Sequence, residues 1–181
     1  MINAKQQAEY SKKVLEYLSK INVVITDQEK KNIEIADFGL NRLEEMGLQI
    51  ITYINTDKYC AKELIMLPNQ LCPEHRHPNI GSKQGKQETF RCRWGQVYLY
   101  ISGEPAPSPK GHPPKDKIKY FTAWKQIILN PGEQFTLPPD ALHWFQAGPE
   151  GAIISEFSMA SIDEADIWTD SEIKRIPEVE K

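Results

Sequence analysis

No apolar run in this 181-residue chain approaches the roughly 18–20 residues that a bilayer-spanning helix needs, so no membrane role is expected. The opening stretch, MINAKQQAEYSKKVLEYLSK, is polar and charged and has no uninterrupted apolar core, which argues against a signal peptide and for a cytoplasmic protein. Cysteine is scarce. Cys60, Cys72 and Cys92 are an odd number without a CxxC pair, and are expected to be reduced thiols in core or strand positions. Positive charge is not in excess: the net charge of −3 speaks against a dedicated nucleic-acid binder, which would carry a basic face. Repeats and low-complexity linkers are missing as well, so nothing divides the chain into independent domains. What remains, 40% hydrophobic and 26% charged residues, is ordinary for a soluble globular chain long enough to bury a core.

The N-terminal part reads as helical. Val14, Leu15, Leu18 and Ile21 form an apolar stripe at helical spacing over residues 4–20, with Lys12, Lys13, Glu16 and Lys20 facing away. Thr26 followed by Glu29 is a capping-box pattern for a second short helix, which Asp37-Phe38-Gly39 breaks. A further helical stretch is expected around Leu40–Met46, stopping at Gly47. After Gly47 the pattern becomes β. Strand-like segments start at Leu48, Glu63, Gln96, Gln126 and Ala152, bounded by turns at Asn55-Thr-Asp, Pro68-Asn, Trp94-Gly95, Asn130-Pro-Gly and Gly148-Pro. Short strands at this spacing predict a sandwich or closed barrel rather than alternating βαβ units. Residues 102–118 contain five prolines and read as a long surface loop, with His112 a solvated member of it.

The chain has only four histidines, and three of them fall in a metal-binding arrangement. His75 and His77, two apart on a strand, leave the same face roughly 6–7 Å apart at Cα. Glu88 follows eleven residues after His77, and a hairpin across the Gly/Lys-rich loop would return it beside the pair. His143 comes after the turn Pro138-Pro139-Asp140 and enters a strand. Three nitrogens and one oxygen suit Mn2+, Fe2+, Co2+, Ni2+ or Zn2+ better than the oxygen-preferring Ca2+ or Mg2+.

His75-x-His77-x(10)-Glu88-x(6)-Gly95 is similar to the first cupin motif with a longer loop before the glutamate. Pro138-x-Asp140-x(2)-His143 looks like the second, with Asp140 where that family often has glycine. Beyond these, Cys60-Ala-Lys-Glu-Leu through Cys72-Pro-Glu-His-Arg-His-Pro resembles the cupin-type D-lyxose isomerases, as do Glu88-Thr-Phe-Arg-Cys-Arg-Trp-Gly and Asp163-Glu-Ala-Asp-Ile-Trp-Thr-Asp. The likeness spans about residues 35–170. It implies a mainly β fold, a cupin (jelly-roll) antiparallel barrel with short N-terminal helices. Residues 1–47 would pack on the barrel, 48–170 would form it, and 171–181 would be a tail. The implied activity is aldose–ketose isomerisation of D-lyxose and D-xylulose, extending to D-mannose and D-fructose, with one divalent metal per chain, Mn2+ foremost. A homodimer is the implied assembly.

Such chemistry moves one hydrogen between C2 and C1 and a proton between the neighbouring oxygens, while a metal polarises the carbonyl and stabilises an enediolate; the residues do not choose between this route and a metal-assisted hydride shift. Glu156, which interrupts the apolar run Ile153-Ile-Ser-Glu-Phe thirteen residues after His143 at the reach of the next strand of a meander, is the candidate base. Pointing into a barrel, it would have its pKa raised by desolvation. Lys62, which shares strand parity with Leu64 and Met66, and Lys86, two residues before Glu88, are the candidate electrostatic partners. Asp163 and Asp166 lie in a polar segment that would either fold over the mouth and bind sugar hydroxyls or simply begin a helix. Arg91 and Arg93 alternate with Phe90 and Cys92 and are expected to face outward. Two other readings use the same ligands, an Fe-dependent cupin dioxygenase and a non-catalytic sugar-binding cupin. The lysines and acids near the mouth favour a polyol over an apolar oxygenase substrate.

Overall fold

The computed structural model describes residues 2–175, and no helix among them is long and apolar enough to cross a membrane. Helix α1 (Ala4–Ser19) starts at Asn3, whose side chain accepts from the Gln6 N–H while the Gln6 side chain accepts from the Asn3 N–H. Its buried face is Tyr10, Val14 and Leu18, packed with Ile35, Ile51 and Ile65. Leu15, expected in that stripe, is 37% exposed, because the spacing that meets the sheet runs through Tyr10 rather than through Leu15. Helix α2 (Asp27–Lys31) carries the Thr26/Glu29 capping box.

Residues 40–46 are not helical. Phe38 (φ 55°) and Asn41 (φ 54°) adopt left-handed backbone, which splits the segment into turns and drives the Phe38 side chain into the core. The strand β1 (Glu34–Ala36), unforeseen in the sequence, pairs with β2 (Leu48–Asn55), so the N-terminal segment adds a strand as well as helices.

The remaining strands are β3 (Tyr59–Met66), β4 (Leu71–Arg76), β5 (Glu88–Ile101), β6 (Lys125–Leu129), β7 (Gln134–Leu137), β8 (His143–Met159) and β9 (Ile167–Trp168). Every pairing between them is antiparallel. The long strands β5 and β8 run alongside each other through the whole barrel. One half of β8 (residues 152–159) pairs with β3 and the first half of β5, the other (143–147) with β4 and the end of β5. The sheet thus folds over on itself as a jelly roll, enclosing Leu48, Ile50, Leu64, Met66, Phe90, Cys92, Leu99, Phe145 and Ile154. All three cysteines are buried thiols, as expected.

Trp94-Gly95 and Gly148-Pro149, expected as strand-ending turns, are instead a kink inside β5 and β8. The ladder jumps from Gly95↔Ala152 to Val97↔Ala147, leaving 148–151 as an insertion. Gly95 (φ 73°) and Gly151 (φ 94°) make this close approach; a Cβ on Gly95 would lie 2.1 Å from the Gly151 carbonyl oxygen. Residues 102–124 join β5 to β6, running mostly over the surface with Gly111, Pro113 and Lys117 buried; His112 is exposed there, as expected. Replacing Gly95 with Ala should therefore destabilise the fold by at least about 2 kcal/mol, read as a lower denaturation midpoint in urea, because steric clash adds to the cost of positive φ.

Candidate metal centre and active site

The mouth of the barrel collects polar side chains onto an otherwise apolar interior. His75 is placed inward by an irregularity in β4: the ladder to β8 steps from Cys72↔Phe145 to His75↔His143, so both Cys72 and His75 face in and Glu74 faces out. Glu74 then accepts from the Thr122 and Ala123 N–H groups and the Thr122 and Thr169 hydroxyls at 2.7–2.9 Å, pinning the loop before β6 and the segment around β9 against β4. His77 lies just past the end of β4. Glu88 opens β5, which does not pair with β4; the connecting loop crosses the mouth rather than forming the expected hairpin, yet it still brings the carboxylate to the histidines. The turn before β8 uses Asp140 at φ 59°, the left-handed position that a glycine would fill without strain, and Asp140 accepts from Arg76 at 2.5 Å.

The ring nitrogens of His75, His77 and His143 come within 4.8 Å of one another, and all three residues are buried. Glu88 Oε1 is 3.1 Å from Nε2 of both His77 and His143. Each Nδ1 is already engaged: His75 with the Pro73 carbonyl (2.8 Å), His143 with the Ala141 carbonyl (2.9 Å), and His77 with the Asp166 carboxylate. Donation from Nδ1 leaves the Nε2 lone pair free for a metal. His143 Nε2 is buried without a hydrogen bond, an arrangement that a bound cation would satisfy. These residues therefore fit one divalent ion with three imidazole nitrogens and one carboxylate.

Burial and the neighbouring His143 and His77 push His75 well below the ordinary imidazole range. Burial also works against the His77 cation, but Glu88 and Asp166 outweigh it and raise that ring to about 9. Desolvation would raise Glu88, yet Lys86 and His77 hold it well below the usual carboxylate range.

A second set of charges lies beside this cluster. Lys86, almost fully buried, donates to Glu88 Oε2 (2.8 Å) and to Glu156 Oε1 (3.1 Å). Glu156, 5% exposed, also accepts from the Ser158 hydroxyl at 3.2 Å and is the cross-strand neighbour of Lys62. It shares β8 with His143 rather than occupying a following strand. Thirteen residues along an unbroken strand would put it on the opposite face; residues 148–151 face Gln96 alone, a net excess of three, and that odd excess restores it to the interior. Lys62 donates to Ser161 (3.0 Å) and to both oxygens of Asp163 (3.1–3.2 Å). Burial opposes the Lys62 charge, and Glu156 with Asp163 more than offsets that, raising its pKa.

Asp163 sits in a short 3-10 turn (Asp163–Ala165) over the mouth and is shared by Lys62 and Arg175, while Asp166 is taken by His77. Arg91 and Arg93 project from the outer face, donating to Gln134 and Ser155, in keeping with their strand parity. Trp168, within the matched Asp163–Asp170 stretch but not singled out by residue type, stacks on His75 at 4.6 Å and 25°. Arg175 closes the cluster through Asp163 and Glu34; a lone arginine in a polar tail carries no sequence signal for this. Residues 176–181 of the expected tail lie outside the described residues.

Two cavities meet here. The inner one, about 40 Å3, is lined by His75, His77, Lys62, Lys86, Glu88 and Glu156 among others. The outer one, about 280 Å3, shares His77, Lys86 and Asp166 with it and is walled by Pro78, Ile80, Met159 and Ile162.

The barrel is a cupin fold that carries the histidine–glutamate cluster at its mouth. Among solved structures, the L-ribose isomerase of Acinetobacter sp. DL28 in complex with L-ribose superposes with a TM-score of 0.81 at 15% identity over 95% of this chain and 94% of that one. The ligand-free L-ribose isomerase of Cellulomonas parahominis does so at 0.80, also at 15% identity and over the same shares, and both likenesses establish the fold alone. Sequence comparison goes further. Residues 106–181 match the D-lyxose isomerase family model. A D-lyxose ketol-isomerase of a Thermofilum species is 58% identical over 179 residues, and a D-lyxose/D-mannose isomerase of Thermosediminibacter oceani 59% over 180, each covering 99% of both chains. The chain belongs to the D-lyxose isomerase family, and it is an aldose–ketose sugar isomerase.

Two stability effects follow from the buried charges. Lys86→Met would leave Glu88 and Glu156 without their shared cation and should cost about 3–5 kcal/mol in chemical denaturation of the metal-free protein. Burial disfavours the Asp163 carboxylate, but Lys62 and Arg175 hold its pKa well below the ordinary range. A depressed carboxylate stabilises the fold in full above its unfolded pKa of about 3.9, and that stabilisation fades as pH falls towards the folded value. The stability gap between wild type and Asp163→Asn should thus be constant above about pH 5 and shrink below about pH 4, measured by denaturation across that range.

Proposed function

We propose that this isomerase interconverts D-lyxose and D-xylulose, and also D-mannose and D-fructose, with one divalent metal per chain, Mn2+ ahead of Co2+, Fe2+, Ni2+ and Zn2+. The observation that carries this reading is the juxtaposition of four converging donors, His75, His77, Glu88 and His143, with the buried Lys86–Glu156 pair alongside at 3.1 Å. When bound, a divalent ion would act there as a Lewis acid, stabilising negative charge that develops on the sugar oxygens.

The chain's own residues supply the proton chemistry. Glu156 takes the proton from C2 of the aldose and returns it to C1, the work of a positioned general base that then acts as an acid, while a second proton passes from the C2 hydroxyl to the C1 oxygen. Lys86 holds that carboxylate and, with Lys62, adds positive charge near the reacting carbons. Asp163 binds a sugar hydroxyl while keeping Lys62 in place. The apolar wall of Ile80, Met159 and Ile162 limits water around the reacting atoms. The inner cavity is too small for a whole monosaccharide, so the sugar's far end extends into the outer one, which leaves room for a sixth carbon. The D-lyxose/D-mannose name of the Thermosediminibacter oceani relative supports the wider substrate range, since the two sugars share configuration at C2 and C3. We also propose that the protein works in the cytoplasm as a homodimer; exposed Tyr59 and Phe157 on the adjacent strands β3 and β8 support a covered outer face.

Chelator-stripped protein, restored with single metals and offered a panel of free pentoses and hexoses, should regain ketose formation from D-lyxose and D-mannose, with solvent deuterium entering the product. Glu156→Gln should lower kcat by roughly 10²–10⁴-fold while metal content is unchanged. Absence of turnover with every metal and every sugar would overturn the reading.

A further inference from the structure

The three histidines of the cluster are not held alike. His75 and His143 each engage a carbonyl two residues earlier in their own segment, Pro73 and Ala141, so their ring orientation is set locally. His77 has no such neighbour. Its Nδ1 meets Oδ1 of Asp166, 89 residues along the chain. The contact is built by strand pairing: Trp168 lies opposite His75 and Ile167 opposite Arg76, so the next step of the same register sets Asp166 against His77. The Asp166 side chain is 8% exposed. Asp163, three residues earlier, turns to Lys62 and Arg175 instead and touches none of the four ligands.

We infer that Asp166 is a positioning residue for the metal centre, acting through His77, rather than a ligand for sugar hydroxyls. This rests on the metal-binding reading of the preceding section. The carboxylate fixes the His77 tautomer with Nδ1 as donor, sets the angle at which Nε2 faces Glu88, and increases the donor strength of that nitrogen. Neither of the other two rings has an anionic partner at Nδ1, so His77 is the ligand whose strength depends on a distant segment of the chain. That segment also lines the outer cavity, which ties the affinity of the centre to the shape of the mouth.

The test is direct binding of Mn2+ and of Zn2+ to stripped full-length protein, by competition against a chelating indicator, with thermal melting of each metal-free variant alongside. Asp166→Ala should weaken both ions roughly 10–100-fold. Asp166→Asn, which keeps an acceptor for Nδ1–H but loses the charge, should fall between it and wild type. Asp163→Asn, a change in the same segment without a contact to the ligands, should bind both ions as wild type does. Wild-type affinity in Asp166→Ala would overturn the inference, as would an equal loss in Asp163→Asn, which would mark general loosening of the segment. A wild-type protein that binds neither ion would overturn the metal centre itself, and the inference with it.

Discussion

The close approach of Gly95 to the Gly151 carbonyl is where the two long strands change layer. A side chain at Gly95 would hold β5 and β8 apart, one at Gly151 would collide with Tyr17 and the Met66 carbonyl, and the ladder could not jump from Gly95↔Ala152 to Val97↔Ala147. That jump does two things. It lets a single pair of strands serve both layers of the barrel, and it resets the inward parity of β8 so that His143 and Glu156 share one interior. A β8 in unbroken register would send Glu156 outside, and the histidine cluster would lose its neighbouring acid. The lower barrel, filled by Leu48, Leu64, Phe90, Phe145 and Ile154, is the apolar floor against which those polar groups are held.

On that floor the charges alternate: Arg175 with Asp163, Asp163 with Lys62, Lys62 across from Glu156, Glu156 with Lys86, and Lys86 with Glu88. Each carries a desolvation cost, and each is offset only through its neighbour. Removing one member leaves its direct partner under-compensated, and the effect weakens with each further link. This is a suitable environment for aldose–ketose chemistry, in which charge appears transiently near the sugar carbons and preoriented groups need little reorganisation.

Much of this was legible in the sequence. The HxH pair, the following glutamate and the turn-framed His143 pointed to one centre because imidazole and carboxylate spacing is a local property, and β-period segments separated by turns pointed to a barrel. Lys62 faced inward as its parity with Leu64 and Met66 required. Other features were not local. Residues 40–46 have helical composition, but left-handed backbone at Phe38 and Asn41 serves core packing and overrides it. Glu74 reads as one more polar residue beside the histidines, and only a β4 irregularity turns it outward to clamp two distant segments. Asp166 was expected either over the mouth or at a helix start, whereas Trp168 and Arg175 meet the site with no signal in their residue types.

The division has a physical basis. Side-chain chemistry and strand period are written residue by residue, so the sequence by itself determined the candidate ligand set, the β architecture, the buried thiols and the family. Which side chains touch across 70 to 101 positions of chain, as Lys86 with Glu156 and Lys62 with Asp163 do, depends on strand register and on the break at residues 148–151, which face Gln96 alone. Only the tertiary structure decided those contacts, because register is fixed by packing of the whole barrel and no segment carries it alone.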